Sequence, residues 1–172
     1  MHWGDANFKP DVFVQSVFDL IAGWGLALSD IFYNIDLETG GPFVPGFLCL
    51  INALANGLEQ AGIAGPQMSL VGYTGSSDEQ TVITTAVASN WVYRVMTMDY
   101  YNSADLRIAL AQLYSELVGD VSRVCVLGAA PEGNDAGTPI EVMQAVVAGV
   151  PGLGSLGIWP LPASTVAPSI NA

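Results

Sequence analysis

Basic residues are the scarcest feature of this chain. Only Lys9, Arg94, Arg107 and Arg123 oppose 16 acidic residues, for a formal charge of −12 over 172 residues. Nucleic-acid binding is disfavoured, because neutralising phosphates takes a basic patch that four scattered cations cannot assemble. Histidine occurs once, as His2, and cysteine twice, as Cys49 and Cys125. Such a set makes no metal site, and no cofactor is expected. Both cysteines sit among apolar residues and read as small core residues without a disulfide. A long apolar run is missing too. The richest stretch, Phe47 to Leu58, is interrupted by Asn52, Asn56 and Gly57, well short of the ~20 residues that span a bilayer. Met1 is followed at once by His2-Trp3-Gly4-Asp5, so no signal peptide is read at the start.

What the chain has in excess is apolar residues, 51%, with a mean hydropathy of +0.45. With no membrane segment to absorb them, they point to strands buried on both faces, as in parallel α/β sheets. The length suits one domain with a sizeable core.

The strand-like stretch Tyr33-Asn34-Ile35-Asp36-Leu37-Glu38 organises the rest. Successive side chains of a strand point to opposite faces. Tyr33, Ile35 and Leu37 therefore suit packing under helices, while Asn34, Asp36 and Glu38 line up on the other face. Before it, Pro10-Asp11 opens a helix with Phe13, Val17, Leu20, Ile21 and Trp24 at helical spacing. After it, a helix from about Pro45 to Ala61 carries Phe47, Ile51, Leu54 and Leu58, and Gly62 stops it. Strands follow at 68–73, 91–98, 123–127 and 155–159. Between them a helix capped by Ser77 or Asp78 carries Val82, Ile83, Ala86 and Val87. A second opens at Ser103 or Asp105 with Leu106, Leu110, Leu113 and Leu117. A third starts at the capping-box sequence Thr138-Pro139-Ile140-Glu141.

Strict strand–helix alternation means parallel strands with right-handed crossovers. A doubly wound sheet usually carries a glycine-rich phosphate loop after its first strand, and none follows a strand here. A (β/α)8 TIM barrel instead gathers polar residues at the carboxyl ends of several strands. Here those ends carry Asp36 and Glu38, Tyr73, Asp99 and Tyr100, and Trp159. The barrel is the reading that fits.

The same stretches resemble motifs of family 18 glycoside hydrolases, the chitinases and their relatives. Ile31, Asn34, Asp36 and Glu38 fall on the fourth-strand signature DxxDxDxE, matching its last two positions. Val95-Met96-Thr97-Met98-Asp99-Tyr100 resembles the sixth-strand motif. Gly128 to Asp135 is similar to the loop after the seventh strand, and Leu156-Gly157-Ile158-Trp159-Pro160-Leu161 to the eighth strand. Trp3-Gly4-Asp5-Ala6-Asn7 is similar to the end of the third.

The resemblance implies a partial barrel, strands four to eight, over residues 1–162, with a loose tail at 163–172. A full barrel runs to roughly 250 residues, so another chain or chain segment is expected to supply the missing strands. It also implies a chitin or N-acetylglucosamine oligosaccharide partner, an extracellular setting, and retaining hydrolysis with the substrate's acetamido group as nucleophile. Glu38 is then the general acid, and Asp36 orients the acetamido group, with Asn34 beside it where the family has an aspartate. Asp99 and Tyr100 hydrogen-bond the acetamido carbonyl. Met96 and Tyr73 wall the pocket, and Trp159 stacks under the sugar. A catalytically weak carbohydrate-binding or structural module is the alternative; Glu38 favours the enzyme, Asn34 the module.

Overall fold

The computed structural model describes residues 8–37, 43–98, 103–129 and 137–159. Helix α1 (Pro10–Gly23) opens with proline in its first turn, where the missing N–H costs no helical bond. A 3-10 turn at Leu28–Asp30 leads into β1 (Tyr33–Asp36). Then follow α2 (Phe43–Gln60), β2 (Met68–Gly72), α3 (Ser77–Ala88), β3 (Val92–Thr97), α4 (Ala104–Val118), β4 (Val124–Ala129), α5 (Ile140–Gly149) and β5 (Ser155–Trp159). The strands lie in one sheet in chain order, β1-β2-β3-β4-β5. The pairs β1/β2 and β4/β5 are parallel. Chain order without reversal is the succession of consecutive barrel units; a doubly wound sheet reverses midway. The fold is part of a (β/α)8 barrel.

The chain divides into two compact units, Met1–Val95 and Met96–Ala172. In the first, α2 buries the stripe Phe47, Ile51, Leu54 and Leu58, and Gly62 ends its run at a φ of +77°. Helix α1 packs on α2 where Gly57 leaves room for the Phe18 ring, since a Cβ there would stand 2.8 Å from it. The buried face of α1 is Val14, Phe18 and Ile21. Of the stripe expected from spacing only Ile21 is on it. Leu20 and Trp24 are 52% and 66% exposed, because α1 carries two adjoining apolar stripes and only one meets α2.

In the second unit α4 is rotated in the same way. Its core face is Arg107, Leu110, Ala111, Tyr114 and Val118, and Leu106 is largely exposed. Ser103 caps this helix, its Oγ accepting the Leu106 N–H at 3.4 Å. The capping box expected at Thr138–Glu141 does not form. Pro139 occupies the cap with no side-chain bond and Glu141 is exposed. Thr138 Oγ1 instead accepts the Ala129 N–H at 2.8 Å, which ties the start of α5 to the end of β4. Cys125 is buried in β4, but Cys49 is exposed on α2 rather than in the core. No described helix is long and apolar enough to cross a membrane. Among the described residues no group of three or more His, Cys, Asp or Glu could hold a metal ion.

Candidate functional site

Strand β1 shows the alternation in full. Tyr33 and Ile35, with Leu37 just beyond the strand, are buried; Asn34 and Asp36 are exposed on the opposite face. The buried row is fixed by the Tyr33 ring against Phe18, centroids 6.2 Å apart, and by Leu37, whose N–H donates to the Val71 carbonyl at 2.8 Å. Burial raises the Tyr33 phenol above its ordinary pKa. Its hydroxyl donates to the Leu28 carbonyl at 3.4 Å.

Register then defines the polar face. Asn34 pairs with Ser69 and Asp36 with Val71, and paired residues of parallel neighbours project to the same side. Phe32, two residues before Asn34, continues the row toward the amino end. Its ring lies 5.8 Å from that of Tyr93, and the Arg94 guanidinium stands 4.8 Å from the Tyr93 centroid. The face therefore runs from an aromatic pair with a cation beside it, through an amide, to a carboxyl. That sequence of groups offers stacking surface and hydrogen bonds to a flat, hydroxyl-rich ligand.

At the carboxyl end of β2, half-buried Tyr73 is held by its main chain. Its N–H donates to Glu79 Oε1 at 2.9 Å. The same carboxylate accepts from Thr74 N–H at 3.0 Å and Gly75 N–H at 2.6 Å. Glu79 is wholly buried, three positions after the N-cap Ser76, whose Oγ accepts the Glu79 N–H. Sequence reasoning missed this group. The Ser76-x-x-Glu79 spacing is the signal that could have found it, although the carboxylate wraps the preceding loop rather than the cap N–H.

In the second unit Met96 is half-buried near the end of β3. On α4, the fully buried Arg107 donates through Nη1 to the Leu127 carbonyl at 2.9 Å and through Nη2 to Thr138 Oγ1 at 3.2 Å. This second missed residue fastens α4 to β4 and to the residue Thr138 just before α5. Trp159 is the last residue of β5, in register with Ala129.

Of the expected site residues, the structure therefore brings Asn34 and Asp36 onto one exposed face of β1 and sets Tyr73 at the end of the next strand. Met96 and Trp159 fall at strand ends of the second unit. Glu38, Asp99 and Tyr100 lie outside the described residues, as do Trp3–Asn7, Pro131–Asp135 and the tail 163–172.

No protein-family model matches the sequence, and no curated protein does. Among solved structures, the chain is similar to the catalytic domain of a family GH18 chitinase from a fern, Peteris ryukyuensis, with a TM-score of 0.63 at 18% identity. The match covers 90% of this chain and 57% of that one. At this identity the likeness speaks for the fold: the chain shares the barrel fold of that catalytic domain and spans little more than half of that domain's length.

Proposed function

We propose that this chain is the site-bearing part of a chitinase-like glycosidase that acts on β-1,4-linked N-acetylglucosamine polymers. The observation that carries the reading is the exposed pair Asn34 and Asp36, projecting from the face of β1 opposite its buried row. The sequence continues this period to Glu38. The solved chitinase domain with a similar fold supports it.

In this reading Glu38 protonates the glycosidic oxygen. Asp36 holds the 2-acetamido group so that its carbonyl attacks the anomeric carbon and retention follows. Asp99 and Tyr100 receive the acetamido group, Tyr73 and Met96 wall the pocket, and Trp159 stacks under the sugar. The unit 1–162 is the barrel part, 163–172 its tail, and secretion to where chitin is found fits the acidic surface.

A second reading rests on Asn34. An amide donates to Asp36 but cannot take up its proton, which favours a module that binds the sugar with little turnover. Release of chromophore from a chromogenic chitobioside distinguishes the two. The glycosidase reading expects slow turnover by the wild type and a drop of about 10²-fold or more in Glu38→Gln, since glutamine has no proton to give. Sugar binding without turnover hands the case to the module.

A further inference from the structure

Arg107 is a wholly buried cation in a chain that has only four. Burying a charge is costly, and an apolar side chain of similar volume often serves stability as well or better. What an apolar side chain cannot do is fix two acceptors at once, and a guanidinium fork can. The acceptors here are the Leu127 carbonyl, 2.9 Å from Nη1, and Thr138 Oγ1, 3.2 Å from Nη2.

Thr138 in turn grips the last residue of β4 twice. Its N–H donates to the Ala129 carbonyl at 2.9 Å, and its Oγ1 accepts the Ala129 N–H at 2.8 Å. A hydroxyl oxygen has two lone pairs. Arg107 and Ala129 take both, which locks this hydroxyl as an acceptor. Gly128 lets the segment lie so close, since a Cβ there would stand 3.3 Å from Thr138 Cβ and 3.4 Å from Met143. Strand ends fray first, and Thr138 closes the end of β4 as a further rung of the sheet would.

Both residues held in this way are register partners of β5. Ala129 pairs with Trp159, and each is the last residue of its strand. Leu127 pairs with Gly157, and a Cβ at Gly157 would stand 2.5 Å from Leu127 Cδ2. Arg107 and Thr138 therefore fix the two positions of β4 against which the end of β5 is set.

We infer that Thr138, locked by Arg107, is a positioning residue for the sugar, because it fixes the strand end that carries Trp159. The inference rests on the glycosidase reading, in which Trp159 stacks under the sugar.

The test uses the full 172-residue chain and two readouts. One is the indole N–H resonance of Trp159, identified by its loss in Trp159→Ala; the other is the dissociation constant of chitotetraose by calorimetry. Thr138→Val keeps the shape and removes the acceptor. It is expected to shift the Trp159 resonance, with those of Trp24 and Trp91 unmoved. Binding weakens about fivefold, within the roughly tenfold that one aromatic contact contributes. Thr138→Ser restores both readouts. Arg107→Lys, with one ammonium for two acceptors, moves both in the same direction as the valine variant and carries the test if that variant does not fold. In a Trp159→Ala background Thr138→Val has no further effect on affinity, since residues that act through one another are not additive. A merely structural role lowers affinity in both backgrounds alike. A Trp159 resonance unmoved by Thr138→Val and Arg107→Lys, or an undiminished loss of affinity on top of Trp159→Ala, overturns the inference. A wild type that binds no chitotetraose overturns the glycosidase reading instead, and the Trp159 resonance then still decides whether Thr138 holds this strand end.

Discussion

Replacing Glu79 by alanine tests how the end of β2 is held. The carboxylate is fully buried and accepts three main-chain N–H groups, from Tyr73, Thr74 and Gly75, at 2.6–3.2 Å. Thr74 is exposed, so water can replace its bond, whereas Tyr73 and Gly75 are half-buried and lose a partner outright. A hydrogen bond to a charged acceptor contributes roughly 1.5–3 kcal/mol, so two lost bonds give about 3 kcal/mol, before the vacated space is counted. With a urea m-value of about 2 kcal/mol/M, the midpoint falls by about 1.5 M. Glu79→Gln keeps one oxygen for Tyr73 but turns an NH2 toward N–H donors, and is expected to recover less than half of the loss. Urea titration followed by tryptophan emission measures the midpoint. Amide exchange at residues 73–75 reports the loop directly and should accelerate before the rest of β2 does. A midpoint shift under about 0.3 M with unchanged exchange at Gly75 would refute the reasoning.

Three further perturbations probe other parts of the account. Arg107→Leu leaves the Leu127 carbonyl and Thr138 hydroxyl without their buried donor, and should cost about 3 kcal/mol in thermal or urea unfolding; equal stability would contradict the fastening role. The raised pKa of Tyr33 gives a signed pH dependence. Above pH 10 the unfolded chain ionises this phenol while the folded chain does not, so stability present below pH 10 declines as pH rises through the folded value. Tyr33→Phe should flatten that part of the slope, as measured by urea midpoints between pH 9 and 11. Asn34→Asp adds a carboxyl beside Asp36 on the exposed face and should raise turnover of a chromogenic chitobioside or shift its pH optimum.

The sheet order and the two faces of β1 were legible because both follow from the backbone. Side-chain alternation has period two whatever the sequence, and a run such as Tyr33 to Leu37 shows which face is apolar. Stripes on α1 and α4 were less legible. Apolar residues cover more than one helical face in each, and the periodicity of Phe13, Val17, Leu20 and Trp24 is as good as that of Val14, Phe18 and Ile21. Packing against α2 decides between them, and that is a tertiary fact. Arg107 was not legible as a core residue, since nothing local announces that its guanidinium meets a carbonyl twenty residues later. Glu79 escaped notice because the cap was expected at Ser77 or Asp78, whereas Ser76 holds it, and the Ser76-x-x-Glu79 spacing shows only from that position. Thr138 was legible as polar and near a helix start, but its hydroxyl went to the β4 end rather than to α5.

The most direct measurement of the central claim is time-resolved proton NMR of chitotetraose incubated with the wild-type chain and with Glu38→Gln. The account predicts slow release of chitobiose whose first-formed reducing ends are the β-anomer, the signature of retention through the acetamido group, with the signal lost in the variant. Cleavage to the α-anomer, or release that Glu38→Gln leaves unchanged, would contradict it.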